Sequence, residues 1–183
     1  SACGVFGYET AFAERYDSGV KEVGFEKENF NDSTWQTASV YQNADYILQK
    51  SPIQPLCVYK KSPVVTERKG NVLFVDFGQE TVGYLTAKAK GKKGDKVLLR
   101  FGEELNADGS VRFDMRCNCR YEEEWILSGG EDELKQFDYK AFRYCEMVIP
   151  ENVFVTDMGM IIRHYPFEKK AVYETKNERL KEV

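Results

Sequence analysis

The sequence lacks the features of a membrane-spanning protein. It contains no run of about 18 apolar residues, the length that a helix needs to cross the hydrocarbon layer of a bilayer. Strand-like sequence follows Ser1 directly, and no signal peptide is predicted. We therefore expect no membrane partner for this segment.

A strong excess of basic charge is also missing. The 183 residues carry 26 lysines and arginines against 30 aspartates and glutamates, for a net charge of −4 at pH 7. No basic patch is interleaved with aromatic residues, and a mildly acidic surface repels a phosphate backbone. Nucleic acid is not expected as a partner.

Histidine and paired cysteines are too few for the common catalytic and metal sites. The single histidine, His164, lies in the strand-like run from Ile161 to Tyr165, without a nucleophile motif. The five cysteines are an odd number, so they cannot all form disulfides within the chain. Only one residue separates Cys117 from Cys119, whereas about two to four residues usually separate paired zinc ligands, which occur with a second Cys/His cluster. We expect reduced or buried thiols and no hydrolytic triad.

Short apolar or alternating runs dominate, and helical periodicity is scarce. The continuous apolar run from Val72 to Phe77 predicts a strand buried on both faces. From Tyr84 to Lys90 apolar and polar residues alternate, so the apolar ones should share one face. Gly91 to Asp95 is typical of a turn, which predicts that Val97 to Phe101 returns as the second strand of a hairpin.

Further strands are predicted at spacings of about 8–12 residues, which favour a sandwich over alternating strands and helices. They are Tyr121–Leu127, Phe142–Ile149, Asn152–Val155 and Met158–His164. The sequence therefore predicts an all-β fold, a jelly-roll-like antiparallel β-sandwich with additional N-terminal strands.

Four segments are predicted along the chain. Residues 1–49 form a partial N-terminal β region, and residues 50–66, with three of the five prolines, form an extended connector. Residues 67–166 form the β-sandwich domain. Residues 167–183 form a C-terminal linker.

Paired carboxylate side chains are the remaining candidates for a reaction centre. A glycosidase needs two of them, about 5–5.5 Å or about 6.5–9.5 Å apart, on either side of one bond. Glu103 and Glu104 are neighbours in a strand, so they point to opposite faces. Glu122, Glu123 and Glu124 form a charge run that predicts a solvated strand edge. No catalytic residue is predicted in this chain.

The sequence predicts a specific backbone or pairing role for each of three residues. Gly78 and Gly83 are predicted at strand ends, each with a backbone angle that a Cβ would resist. Arg143 alternates with Phe142 and Tyr144 in one strand. If those two rings face the core, Arg143 needs solvent or a carboxylate partner.

Several short phrases occur in the order in which bacterial α-L-rhamnosidases carry them, and together they cover most of residues 14–166. They are Glu14–Trp35 with its YDSG, Phe74–Tyr84 (FVDFGQ and VGY), Arg100–Ser110 (RFGEEL and DGS), Tyr121–Gly129 (YEEEWILSG) and Phe137–Tyr144 (FDYKAFRY). The chain resembles the accessory β-sandwich region of that family.

The resemblance implies a role without catalysis. In that family an (α/α)₆ barrel follows the sandwich domains, carries the catalytic carboxylates and removes terminal α-L-rhamnose by an inverting hydrolysis. The resemblance implies that residues 167–183 are a linker toward this catalytic domain, which is absent from this chain. It also implies that the chain braces the barrel of the same polypeptide. The compartment stays open between the bacterial cytoplasm and the periplasm or cell surface.

The resemblance also implies a candidate sugar site, because in some members a β-domain binds rhamnose with calcium. Asp17 and Ser18 stand where the family has YDAR, and its arginine is missing here. Asp17 is predicted to contact sugar and Ca²⁺, which prefers oxygen ligands. Ser18 is predicted to add a hydroxyl, and Trp35 to offer a ring face or to be core. The alternatives are a calcium-dependent carbohydrate-binding module for L-rhamnose, with rhamnose-containing glycans as partners, and an unrelated interaction or adhesion sandwich.

Overall fold

The computed structural model describes residues 2–5, 12–20, 24–41, 46–116, 119–168 and 170–181. Ten strands supply most of the regular structure in these ranges. They are β1 (Ala2–Val5), β2 (Phe12–Asp17), β3 (Cys57–Lys61), β4 (Val65–Lys69), β5 (Val72–Lys90), β6 (Lys96–Gly102), β7 (Glu122–Ile126), β8 (Glu131–Glu133), β9 (Lys140–Val148) and β10 (Phe154–His164). A 3₁₀ turn follows β2 at Ser18–Val20, and a short helix, α1, spans Glu178–Lys181. In the described ranges no helix is long and apolar enough to cross a membrane.

One curled sheet has the strand order β1-β2-β7-β6-β9-β5-β10-β3. The 19-residue strand β5 pairs with β4 and β9 along its first half and with β10 and β8 along its second half. This long strand therefore joins the two parts of the sheet that enclose the core. The predicted all-β sandwich with extra N-terminal strands is confirmed. One pair, β2 with β7, is parallel rather than antiparallel.

Alternate residues of β5 face the core. Leu85, Ala87 and Ala89 are at most 2% exposed, as their alternation with polar residues predicted. From Val72 to Phe77 the burial also alternates, so the prediction of burial on both faces is wrong for this run. In the core Phe142 makes edge-to-face contacts with Phe77 and Phe101, at ring-centroid distances of 5.8 and 5.0 Å. Each such pair contributes about 0.5–1.5 kcal/mol beyond burial.

Gly78 and Gly83 lie inside β5 rather than at strand ends. Gly78 has φ of 79°, in the left-handed region that a Cβ disfavours, as predicted. Gly83 is needed for a different reason. A Cβ there would lie 2.4 Å from the carbonyl oxygen of Ile161 in β10, so only glycine allows the two strands to approach.

The turn at residues 91–95 is present, but the predicted hairpin is wrong. In the described sheet β6 pairs with β7 and β9, and not with β5. The turn carries the chain across the core, and its backbone is bonded to the end of β7. Gly94 N donates to Leu127 O at 2.8 Å, and Leu127 N donates to Asp95 O at 2.9 Å.

The last two predicted strands form the single strand β10. The gap that was predicted between these two strands is a bulge of β10 between Thr156 and Gly159, where Asp157 has φ of 50°. Its carboxylate pairs with Lys60 Nζ at 2.6 Å. A bulge bends a strand without ending it, which is why the two predicted strands are one.

The predicted connector contributes strands to the sheet from residue 57 onward. β3 pairs with β10 as an edge strand, and β4 pairs with the beginning of β5. The proline-containing part, residues 50–56, has no helix or strand.

Candidate functional site

Asp17 and Ser18 lie together where β2 ends and the 3₁₀ turn begins. Asp17 Oδ1 accepts a hydrogen bond from the backbone N–H two residues further on, at 2.8 Å. Ser18 Oγ accepts a hydrogen bond from the indole N–H of the buried Trp125, at 3.0 Å. In this arrangement Ser18 connects the end of β2 to the core, a role that the sequence did not indicate.

Trp35 lies in an irregular segment and is 50% exposed. Its ring packs at a tilt on Phe30, with centroids 5.4 Å apart. Within the described residues no hydrogen bond, ion pair or ring contact joins Trp35 to Asp17 or Ser18, and no group of three or more Asp, Glu, His or Cys side chains is placed to hold a metal. The sugar and calcium roles of Asp17, Ser18 and Trp35 stay predictions.

A buried ion pair lies between β7 and β9. Glu123 is 2% exposed and Lys140 is 5% exposed. Lys140 Nζ lies 2.5 Å from Glu123 Oε1, so the two charged groups are in direct contact. Burial raises the pKa of Glu123, and the nearby Lys140 ammonium partly offsets this effect. The ammonium also lies 5.8 Å from the centroid of the Phe101 ring.

The Glu123 carboxylate binds two further segments. Its Oε1 accepts a hydrogen bond from Glu14 N in β2 at 3.0 Å, and its Oε2 accepts one from Gln136 Nε2 at 2.5 Å. The Glu14 carboxylate in turn accepts the backbone N–H groups of Phe137 at 2.7 Å and Asp138 at 2.5 Å. This network fixes β2 against β7 and the loop before β9. The predicted solvated edge is therefore wrong for Glu123, because β7 lies between β2 and β6.

The neighbours of Glu123 face the other side of the sheet. Glu122 pairs with Arg100 and Arg120, both at 2.7 Å. Burial alone would raise the pKa of Glu122, but the two guanidinium groups outweigh it and lower the pKa. Glu124 pairs with Lys96 and Arg15 at 2.8 and 2.7 Å, and the lysine contributes most to lowering its pKa. All three glutamates of the run are held in ion pairs of the sheet.

Arg143 has the carboxylate partner that its position required. Its Nε and Nη2 donate to the two oxygens of Asp76, both at 2.9 Å. The bond from Arg143 lowers the pKa of Asp76 against the effect of burial. Phe142 is buried, but Tyr144 lies outside the core and stacks on Phe74 with centroids 6.0 Å apart. The strand pairing shifts register here, so the two rings do not share a face.

A cleft of about 540 Å³ lies beside β5 and β10. Arg163 Nη1 donates to the hydroxyl of Tyr84 at 2.5 Å, and the Tyr84 and Tyr139 rings meet edge to face at 6.3 Å. The residues that line the cleft come from β5, β10 and the loops beside them: Leu56, Thr81, Val82, Tyr139, Arg163, His164 and Tyr165. In the sequence His164 is a histidine without a nucleophile motif, and no sequence pattern indicated that aromatic residues would surround Arg163.

The cysteines fit a structural role where they are described. Cys145 is buried in the core, and burial raises the pKa of its thiol well above the usual value. Cys57 is partly buried in the edge strand β3 and forms no disulfide. Cys117 lies outside the described residues. The expectation that Cys117 and Cys119 are reduced or buried thiols therefore stays a prediction.

Comparison with known proteins gives one consistent family. Residues 66–158, just over half of the chain, match the bacterial alpha-L-rhamnosidase concanavalin-like domain. The chain is 28% identical over 142 residues to an alpha-L-rhamnosidase of Streptomyces avermitilis, covering 73% of this chain and 14% of the relative. It is 26% identical over 141 residues to one from Formosa agariphila, covering 73% of this chain and 15% of that relative.

Solved structures of rhamnosidases share the fold. The alpha-L-rhamnosidase of Dictyoglumus thermophilum superposes with a TM-score of 0.66 at 22% identity, covering 93% of this chain and 20% of that one. The Streptomyces avermitilis enzyme, complexed with L-rhamnose, superposes with a TM-score of 0.54 at 25% identity, covering 69% and 13%. The chain thus spans about one seventh of the length of its curated relatives. By the match over residues 66–158, this chain belongs to the family of the bacterial α-L-rhamnosidase concanavalin-like domain.

Proposed function

We propose that this chain is a non-catalytic accessory β-sandwich of an α-L-rhamnosidase-type glycoside hydrolase, and that it braces the catalytic barrel of the same polypeptide. The observation that carries the proposal is the difference in coverage: 73% of this chain aligns with relatives of which it spans only 14–15%. Most of such an enzyme is therefore outside the aligned segment, which leaves room there for the reaction centre.

The carboxylates of the sheet support the same conclusion. Glycoside hydrolysis needs one carboxyl group to protonate the leaving oxygen and a second to activate water or attack the sugar. Glu122, Glu123 and Glu124 each contact a lysine or arginine, and Asp76 is held by Arg143. Carboxylates held in such pairs stabilise the sheet, which supports a structural role for them.

A surface for the barrel is supplied by the irregular segment before β3. It exposes large apolar side chains: Val40, Tyr41, Tyr46, Ile47, Leu48 and Ile53 are each 67% exposed or more. Large exposed apolar side chains often mark protein interfaces. The occupant we propose is the barrel domain.

Two measurements test the accessory role. The isolated chain should release no chromophore from an aryl α-L-rhamnoside, and release by the purified chain would contradict the proposal. In the longer polypeptide that carries the barrel, Ile47→Ser with Leu48→Ser should lower the unfolding temperature of the barrel, since each side chain contributes about 1.5–3 kcal/mol when buried. The same pair should leave the isolated chain unchanged. Phe154→Ser, at an exposed position on β10, is the control and should affect neither.

A calcium-dependent sugar-binding role is the second candidate, and the half-exposed ring of Trp35 favours it. Calorimetric titration with L-rhamnose, with and without Ca²⁺, tests it. Binding that needs Ca²⁺ and is lost in Asp17→Asn would support this role. A flat titration at millimolar sugar would remove it.

A further inference from the structure

Of the arginines in the described strands, Arg163 and Arg68 have no acidic partner, and Arg68 bonds to the carbonyl oxygen of Gly70. In the described part of the chain the Arg163 guanidinium bonds only to the hydroxyl of Tyr84. The guanidinium carbon lies 5.9 Å from the centroid of the Tyr139 ring. Five other arginines each form an ion pair with an acidic side chain: Arg15, Arg100, Arg112, Arg120 and Arg143. In a chain of net negative charge, an arginine that lacks an acidic partner and also lines a cleft, as Arg163 does and Arg68 does not, is a candidate ligand-binding group.

The guanidinium is oriented before any ligand arrives. Tyr84 in β5 lies opposite Ile161 in the β5–β10 pair, so the strand ladder positions the hydroxyl that holds Arg163. An arginine has five N–H donors, and the bond to Tyr84 uses one of them. The remaining donors form a planar fork that matches the two oxygens of a carboxylate. The charge and geometry of the group therefore favour a carboxylate ligand.

The cleft around Arg163 supplies ring faces and no opposing negative charge. Tyr139 is 52% exposed and Tyr165 is 41% exposed, and none of the lining side chains is acidic. The volume of about 540 Å³ falls within the range of about 300–1,000 Å³ of small-molecule sites. Aromatic walls with a few polar groups suit a ligand that has both a flat apolar ring face and polar substituents.

We propose that this cleft binds a carboxylate-bearing pyranose, that is, a hexuronate residue of an acidic glycan. Arg163 pairs with the carboxylate, and the Tyr139 ring lies against the sugar ring. The site is distinct from Asp17 and needs no calcium. It does not depend on the bracing role, because a domain can brace a barrel with or without such a site. An acidic side chain of another protein domain is the competing occupant.

The test is an NMR titration of the isotope-labelled chain with sodium D-glucuronate, D-glucose and acetate. Glucuronate should shift the amide signals of Arg163 and Tyr139 saturably. Glucose and acetate should each bind at least about tenfold more weakly, since each provides only one half of the contact. Arg163→Gln should weaken glucuronate binding by about tenfold or more. Arg68→Gln is the matched control, because it removes the same charge from an exposed position on β4 outside the lining.

Two outcomes would overturn the proposal. Equal binding of acetate and glucuronate would show that the sugar ring contributes nothing. Absence of saturable shifts at millimolar glucuronate would remove the site. If Tyr139 is then shielded from solvent in the longer polypeptide, the cleft is a protein contact. Neither outcome affects the rhamnoside assay or the unfolding temperatures that test the accessory role, so the two failures can be told apart.

Discussion

Removing the Lys140 ammonium measures how strongly the buried ion pair stabilises the fold. Lys140→Met keeps most of the aliphatic stem and loses the charge that lies 2.5 Å from Glu123 Oε1. The Glu123 carboxylate is then buried without a cation, although it keeps its hydrogen bonds from Glu14 and Gln136. Breaking a buried pair at one partner costs about 3–5 kcal/mol. Because two hydrogen bonds remain, we expect a loss near the lower limit, about 3 kcal/mol.

The matched variant removes both charges. In Glu123→Gln with Lys140→Met the glutamine still accepts from Glu14 N, so only the contact with Gln136 is compromised. Replacing both members of a buried pair is much less costly than removing one, and we expect a loss of about 1–2 kcal/mol. Urea unfolding followed by circular dichroism at neutral pH gives both values.

The pH dependence supplies an independent check. Burial raises the pKa of Glu123. A carboxyl group with a raised pKa in the folded state is tolerated when protonated, and its destabilisation appears as the pH rises through the folded-state pKa. The deficit of Lys140→Met should therefore shrink as the pH falls. A loss below about 1 kcal/mol at neutral pH, typical of exposed pairs, or a double variant as unstable as the single one would refute the reasoning.

Three further outcomes follow from the geometry. Gly83→Ala should destabilise the chain by several kcal/mol in urea unfolding, since its Cβ would lie 2.4 Å from a carbonyl oxygen of β10, whereas Gly109→Ala, with open space around it and φ of 83°, should lose only about 1 kcal/mol. Asp76 has a lowered pKa, so the stability that it contributes is present above its usual pKa and is lost as the pH falls through the folded-state pKa. The difference in unfolding free energy between wild type and Asp76→Asn should therefore vanish in strong acid. A difference that stays constant with pH would contradict this assignment. Ser18→Ala leaves the buried indole N–H of Trp125 without its acceptor and should lose about 1–3 kcal/mol, and a loss near zero would argue that water replaces the hydroxyl.

The fold class and part of the core were predictable from local patterns. Alternation from Tyr84 to Lys90 identified Leu85, Ala87 and Ala89 as core residues, because side-chain direction in a strand depends only on sequence parity. Strand partners were not predictable in the same way. The turn at 91–95 is local, but the choice between a hairpin and a crossing to β7 and β9 depends on contacts with residues far along the chain. Nothing in the local pattern indicates that Asp157 forms a bulge within one strand.

The buried network could not be predicted, because it depends on the parallel placement of β2 beside β7. Glu14 and Glu123 are 109 residues apart, and a run of three glutamates in isolation is typical of a solvated edge. Similarly, Arg163 is notable because it lines a cleft without an acidic partner, and both facts are known from the structure alone. The candidate sugar residues Asp17, Ser18 and Trp35 came from the resemblance, and the structure adds a structural task for Ser18.

The cost of burying Glu123 and Lys140 is best explained by the position of β2. Only three residue pairs join β2 to β7, from Arg15 with Glu124 to Asp17 with Ile126, so the ladder alone specifies the register weakly. A slip of one residue would turn Glu14 away from the amides of Phe137 and Asp138 and would move its backbone N–H away from Glu123. Buried polar groups would then lack partners, at about 1–3 kcal/mol each. We infer that the network disfavours the slipped registers, a distinction that an apolar pair at the same positions would not make.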